Sequence, residues 1–151
     1  MEVTVHGFKE LRNSLNNTPE IFNTVMKGAL TQSAKRIQKR AIINAPEATG
    51  NLKGNISIVN KKYSAEIIAK PKYAIFVEKG TKPHWPPIDV MEKYGLLRFG
   101  KAGLGFVIAR KISRVGTKAN PFMRKSFDSS LNEIENIFNQ AGNTLIKLLG
   151  K

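Results

Sequence analysis

Tyr73-Ala-Ile-Phe-Val-Glu-Lys-Gly-Thr81 is the stretch of sequence on which the predicted fold depends. Its first five residues are apolar, and four of them are aromatic or β-branched. A short apolar run of this composition is typical of a strand that is covered on both faces. Glu78 follows the run, and Gly80 with Thr81 indicates a tight turn. We therefore predict a central strand that ends in a carboxylate and a sharp bend, with a solvated acid as the simplest interpretation of Glu78.

The composition favours one globular domain without a metal or cofactor site. A chain of 151 residues with 41% apolar residues can bury a hydrophobic core, so residues 1–151 are predicted to form a single domain. There is no cysteine, and with only His6 and His84 a metal centre would depend on carboxylates. No apolar run has the length of a membrane span, and the N-terminus does not resemble a signal peptide. We therefore expect synthesis in a cytoplasm.

The charge balance is the strongest compositional feature. Lys plus Arg is 25 and Asp plus Glu is 11, which gives a formal net charge of +14. Such a surface attracts polyanions or acidic proteins, and it also serves solubility. Composition alone leaves these interpretations open.

A long helix is predicted before the central strand, preceded by a short helix over residues 8–15. Thr18-Pro19-Glu20 has the composition of a helix start, and Pro46 should end the helix near Asn44. A core-facing stripe repeats at helical spacing, and its members are Phe22, Met26, Leu30, Ser33, Ala34, Ile37 and Ala41. Lys35 and Lys39 lie nearly opposite this stripe, either as solvated side chains or as a partner contact.

A small antiparallel sheet is predicted between this helix and the central strand. Residues 55–59 and 63–69 are rich in β-branched side chains, and Lys61-Lys62 between them forms the hairpin tip. The central strand then completes an antiparallel meander.

Residues 83–118 are predicted to form an irregular insertion or extended arm of the single domain. Three prolines between 83 and 87 exclude regular structure there, and four glycines between 95 and 105 indicate a flexible stretch. Short helices are predicted over 88–94 and 106–115, and the second carries Arg110, Lys111 and Arg114 away from its apolar face. Trp85 is interpreted as a surface aromatic residue that contacts a protein neighbour. Gly-Thr-Lys at 116–118 repeats the tripeptide at 80–82.

A last long helix is predicted from Pro121, with Asn120 as its cap. Its apolar positions alternate in steps of four and three, as in a coiled coil, and they are Phe127, Leu131, Ile134, Phe138, Ala141, Leu145 and Leu148. This seam could pack on the sheet, on the first long helix or on a neighbouring subunit, and packing within the chain is the default expectation.

Three motifs in order resemble those of a known family. Ala45-Pro-Glu-Ala-Thr-Gly-Asn-Leu52 is similar to the family's Ala-Pro-x-x-Thr-Gly-x-Leu, and residues 73–81 are similar to its Tyr-Ala-x-x-Val-Glu-x-Gly-Thr. Pro121-Phe-Met-Arg-Lys-Ser-Phe127 resembles the Pro-Phe opening of its last helix. The family is the gene ten-like tail-component family of HK-type tailed phages and prophages. The resemblance spans roughly residues 20–148, and the insertion is longer than in the shortest members.

This resemblance implies a non-enzymatic virion protein of a tailed bacteriophage. The implied α+β fold has two long helices packed on a small antiparallel sheet. The implied place is the head–tail junction, in the neck or as a tail-completion protein. The implied partners are further copies in a ring, with a hexamer expected first, a head-side connector, tail tube or tail terminator proteins, and DNA in the channel. No cofactor and no membrane contact are implied.

The same resemblance assigns structural or interface roles to the motif residues. They are Thr49, Gly50, Tyr73, Glu78, Gly80, Thr81, Pro121 and Phe122, and Trp85 joins them as the predicted surface aromatic contact. Glu78 would accept backbone N–H bonds or meet a basic residue across a subunit boundary. A second set of residues is expected to face acidic partners or DNA, and it comprises Lys35, Lys39, Arg110, Lys111 and Arg114.

Catalytic patterns in the sequence are weak. Residues 95–101 have the spacing of a phosphate-binding loop, but Ala102 stands where a hydroxyl should hold Mg²⁺, and no apolar strand precedes the loop. No Ser-His-Asp, paired-carboxylate or metal-ligand pattern is visible. The alternative to a virion protein is a basic nucleic-acid-binding protein, which explains the charge but not the ordered motifs.

Overall fold

The computed structural model describes residues 8–47 and 50–149 of the chain. These residues form seven helices and one two-stranded antiparallel sheet, which confirms the α+β class. The elements in chain order are α1 (Phe8–Asn44), α2 (Asn51–Gly54), β1 (Ile56–Asn60), β2 (Ala65–Ala69), α3 (Ala74–Lys79), α4 (Ile88–Phe99), α5 (Gly105–Val115), α6 (Phe122–Asp128) and α7 (Leu131–Leu149). We call residues 83–118 the arm and the remaining described residues the body.

Helix α1 forms one side of the body. It is continuous from Phe8, so the prediction of two helices with a start at Thr18-Pro19 is wrong, and Pro19 lies inside the helix. The short helix predicted over 8–15 and the long helix are therefore one helix. Pro19 has no backbone N–H, so one hydrogen bond of that helix is missing. The predicted end at Asn44 is confirmed. Four members of the predicted core-facing stripe are buried, and they are Ser33, Ala34, Ile37 and Ala41.

The hairpin β1–β2 lies on α1. Ile56 pairs with Ala69 and Ile58 pairs with Ile67, and these residues form the face turned towards the helix. The Lys61 N–H donates to the Ser64 carbonyl at 2.8 Å, which confirms a hairpin tip at Lys61-Lys62. The Gln38 side chain of α1 donates to the Ile56 carbonyl at 2.8 Å and fixes the hairpin on the helix.

The predicted central strand is wrong, because residues 74–79 form the helix α3. The Ala74 N–H donates to the Pro71 carbonyl at 2.9 Å, so the turn after the hairpin leads directly into helical backbone. Of the apolar run only Ala74 is buried, whereas Ile75 and Phe76 are 53% and 57% exposed. The periodicity of a five-residue apolar run does not distinguish a strand from a short helix. Here the turn at Pro71 leads the chain into a helix. The meander therefore stops at two strands.

The last predicted helix is broken into α6 and α7 at residues 129–130. The hydroxyls of Ser126, Ser129 and Ser130 all donate to backbone carbonyls of α6, and such bonds compete with regular helix geometry. The predicted Asn120 cap is wrong, since Pro121 holds the cap position without a side-chain bond. Helix α7 packs along α1, where Ile137 and Ala141 contact Ala29. The predicted seam is covered within the chain only around Phe138 and Ala141, because Phe127, Leu131 and Leu148 are 47–49% exposed.

Candidate functional site

The three family motifs meet in one hydrophobic cluster of the body. The first motif contributes Ala45 and Leu52, the second contributes Ala74, and the third contributes Phe122, which is completely buried. Ile56 and Ala41 complete this cluster. Segments that are distant in sequence thus share one core, which gives the ordered motifs a common physical cause.

Glu78 joins the second motif to the third. One carboxylate oxygen accepts the Met123 N–H at 2.9 Å, and the other accepts the Arg124 N–H at 3.1 Å. These are N–H groups at the start of α6 that have no partner within the helix, and a negative charge is favoured there. Glu78 therefore accepts backbone N–H bonds, which is one of the two roles predicted for it. It is not a solvated acid.

The two Gly-Thr-Lys tripeptides cross at the root of the arm. Thr81 and Thr117 form an isolated antiparallel bridge, in which each backbone N–H donates to the other carbonyl at 3.1 and 3.2 Å. Their hydroxyls lie 2.9 Å apart and share a hydrogen bond. The repeat in the sequence was the available signal for this pairing of residues 36 positions apart.

The crossing requires glycine at two positions. Gly80 and Gly116 have φ angles of 71° and 70°, in the left-handed region that other residues resist. A Cβ at Gly116 would lie 2.0 Å from the Thr81 carbonyl oxygen, and one at Gly80 would lie 2.5 Å from the Thr117 carbonyl oxygen. The backbones could not approach this closely with any side chain present.

The remaining residues of the first two motifs have separate positions. Gly50 precedes α2 with a φ of 73°, and the Asn51 side chain donates to the Tyr73 hydroxyl at 3.3 Å. Thr49 lies outside the described residues. Lys53 donates to Glu47 at 2.6 Å, and this hydrogen bond with the lysine charge lowers the pKa of Glu47 from its usual value.

The arm is a helical hairpin, so the prediction of an irregular insertion is wrong over most of its length. Helix α4 extends five residues beyond the predicted end at Tyr94, to Phe99, and α5 confirms the helix predicted over 106–115. Two of the four glycines predicted to form a flexible stretch lie where the two helices pack closely. A Cβ at Gly95 would lie 3.0 Å from Leu104, and one at Gly105 would lie 2.7 Å from the Ile88 carbonyl oxygen.

Glu92 closes the loop between the two arm helices. Its carboxylate accepts the Gly103 N–H and, at 2.6 Å, the Gly105 N–H at the start of α5. It thus has the same role in the arm that Glu78 has in the body. Sequence reasoning missed Glu92, which lies three residues before the first glycine of the glycine-rich stretch at 95–105. Residues 95–99 are helical, so the phosphate-loop spacing does not form a loop.

The arm has two different outward faces. Helices α4 and α5 pack mainly on each other, and the residues of the arm that are buried are small: Pro86, Gly95, Gly105, Ala109 and Gly116. The outward face of α4 is apolar, with Val90, Tyr94 and Leu97 at 49%, 40% and 57% exposure. The outward face of α5 is cationic and is formed by Val107, Arg110, Lys111, Arg114 and Val115. Trp85 is half exposed and packs edge-on against Phe106 with ring centroids 5.9 Å apart.

A basic cleft lies between α1 and the α6–α7 junction. It brings together Lys39 with Arg36, Arg40 and Lys125. Glu133 of α7 bonds Arg40 and lies 3.7 Å from the Arg36 side chain, so it neutralises part of this charge. Lys35 is exposed but does not line the cleft. Sequence reasoning missed Arg36 and Arg40, although their spacing from Lys39 places all three on one helical face.

The described residues present an exposed apolar face and two basic surfaces. In residues 8–47 and 50–149 no group of His, Asp and Glu has the placement of a metal site. None of the described helices has both the length and the apolar composition that a membrane crossing requires. The described residues form an α+β body and a helical arm whose two helices pack mainly on each other.

Residues 9–80 match the model of the family described as "Bacteriophage HK97-gp10, putative tail-component". The match covers nearly all of α1, the β-hairpin and α3, and therefore the first motif and residues 73–80 of the second. It confirms the family resemblance seen in the sequence. The family is one of phage tail components, which supports a structural role in a bacteriophage tail and a place in the virion. No curated protein and no solved structure matches the chain.

Proposed function

We propose that the protein is a non-enzymatic structural component of the head–tail junction, in the neck or as a tail-completion protein. Copies of the chain form a ring, with six as the expected number, between a head-side connector and the tail tube or its terminator. The family match supports the tail assignment, and the arm supports assembly.

The exposed apolar face of α4 is the observation that carries this proposal. Leaving a large apolar side chain in water costs roughly 1.5–3 kcal/mol relative to burying it. The buried residues of the arm are small, so the arm has no hydrophobic core that could bury Val90, Tyr94 and Leu97. In a ring, the adjacent subunit or the next ring supplies the missing cover.

Gene deletion with complementation tests the proposal. Without the gene, electron microscopy should show separate heads and tails or tails with defective ends, and the wild-type gene should restore infectious particles. The Leu97→Gln variant should fail to restore them, whereas Ile146→Gln, at an equally apolar position of α7 that is 71% exposed, should succeed. Normal particles in the absence of the gene would contradict the proposal.

Charge must also be balanced in such an assembly. Copies that each carry +14 repel one another unless neighbours supply negative charge. The basic cleft, where Lys39 and Lys125 have no ion-pair partner among the described residues, is our proposed contact for an acidic region of a head or tail protein. Reversing Lys35 and Lys39 to Glu should reduce assembly while the melting temperature is retained. Unchanged assembly at physiological salt would make both side chains merely solvated.

A further inference from the structure

The arm carries somewhat more than its share of the net positive charge. Residues 83–118 contain seven Lys and Arg and two Asp and Glu, so their net charge is 7 − 2 = +5. Of the two acids, Glu92 is occupied by backbone N–H groups of the loop. The carboxylates of the body are mostly engaged as well, by Lys53, Lys61, Arg36 with Arg40, Arg124, and the start of α6. The arm cations are therefore not neutralised from within the described part of the chain.

Helix α5 arranges three of these cations in one stripe. Arg110, Lys111 and Arg114 are exposed, and in the described structure none of them has an acidic partner. Arg110 and Arg114 are one helical turn apart, about 6 Å along the axis. Val107 and Val115 flank them in the same shallow groove. No acidic residue occurs anywhere in α5.

The other side of α5 is already covered. Gly105 and Ala109 are buried, and Ile108 points to Gly95 of α4. A helix that lies in a membrane surface needs a free apolar face beside its cations, and α5 has used its apolar face against α4. A protein partner normally inserts against large aromatic or aliphatic anchors, and the stripe offers only two valines. Most of the large exposed apolar side chains of the arm lie on α4, and Phe106 of α5 packs against Trp85.

We propose that the outward face of α5 binds the phosphate backbone of nucleic acid without regard to base sequence. Two of its three cations are arginines, whose planar forks match phosphate oxygens in pairs. Contacts to phosphate oxygens carry no sequence information, so binding through these cations is expected to be independent of base sequence. This inference concerns the isolated chain and does not rest on the proposed ring.

Salt-dependent binding of duplex DNA tests the inference. The full-length protein and a short fluorescent duplex of arbitrary sequence are measured by anisotropy from about 50 to about 200 mM salt. Each neutralised phosphate contributes a slope of about −0.9 in log K against log salt, so replacing Arg110, Lys111 and Arg114 together by Gln should reduce the slope by about 2.7. The substituted side chains are exposed, and circular dichroism verifies that the helical content is retained.

The matched control removes the same charge elsewhere. Lys35, Lys39 and Lys125 are replaced together by Gln, which lowers the net charge by the same amount but should change the slope by less than about 1. Equal losses in both triple variants would overturn the inference, because net charge alone would then explain the binding. Absence of binding by the wild type, or equal binding of polyglutamate or of phosphatidylserine vesicles, would overturn it as well. None of these results depends on particle assembly, so they are distinguishable from failure of the proposed function.

Discussion

The root of the arm, where residues 80–82 and 116–118 cross, and the helical hairpin α4–α5 use the same structural features. They differ in what covers their apolar side chains. Each uses glycines where backbones or helices approach closely, and each uses one carboxylate, Glu78 or Glu92, to accept N–H groups at a helix start. At the root these features join the second motif to the third, next to the buried Phe122. In the arm they join two helices that enclose only small residues.

The body and the arm differ in how much of their apolar surface is buried. Among the described side chains, 22 large apolar residues are exposed, and ten of them lie in the arm. Since the arm is only about a quarter of the chain, much of its apolar content lies on its surface. The body has a hydrophobic core of its own, whereas we propose that partners cover the exposed apolar side chains of the arm. Substitutions at equivalent positions of the two regions should therefore have unequal effects.

The largest contrast is expected between two phenylalanines. Phe122→Ala should reduce the free energy of unfolding by about 3–5 kcal/mol, because it opens a cavity where three motifs meet. Phe99→Ala at the end of α4, 56% exposed, should change it by less than about 0.5 kcal/mol. Urea denaturation of both variants measures these values. Similar losses at the two sites would show that the arm has a core of its own.

The second contrast concerns glycines with positive φ. Gly116→Ala should cost about 2–4 kcal/mol, because backbone strain adds to the overlap with the Thr81 carbonyl. Gly103→Ala in the arm has a φ of 81° but open space around it, so only strain of about 1–2 kcal/mol remains. The same denaturation experiment applies. A Gly116 variant as stable as the Gly103 variant would mean that the crossing at the root is not tightly closed.

The third contrast compares the two capping carboxylates. Glu78→Gln should lower the global stability by about 1 kcal/mol, since it removes the charge that favours the start of α6. Glu92→Gln should instead accelerate hydrogen exchange at Gly103 and Gly105 and leave exchange in α1 unchanged. If Glu92→Gln accelerated exchange in α1 as well, the arm and the body would be one cooperative unit.

The smallest effect is expected at Glu47, on the surface of the body. Its pKa is lower in the folded than in the unfolded state, because Lys53 donates to it and carries the opposite charge. Its contribution to stability is thus present above the ordinary glutamate pKa and is lost as the pH falls through the lowered value. Glu47→Gln should melt slightly below the wild type at neutral pH and identically in acid. A difference that grows on acidification would contradict this assignment.

Local signals in the sequence predicted the elements whose pattern was long or flanked by clear turns. The hairpin, the end of α1 and helix α5 followed from β-branched composition, a proline and helical spacing. Helix α3 was missed because five apolar residues carry no decisive periodicity, and the break after α6 was missed because serine bonds to carbonyls depend on local geometry. The crossing of the two Gly-Thr-Lys repeats and the Glu78 cap are long-range contacts. Their residues were noticed, but no local rule pairs them.

Proteolysis of the arm tests the central claim most directly, namely that the core of the body is closed by its own chain, whereas the exposed apolar face of the arm is covered by partners on assembly. The isolated protein and assembled particles are treated with the same protease, the fragments are identified by mass, and Trp85 fluorescence is recorded in both states. We expect cleavage within residues 83–118 of the isolated protein, protection of these residues in the particle, and a blue shift of Trp85 on assembly. Equal resistance in both states, with an unchanged emission maximum, would contradict the account.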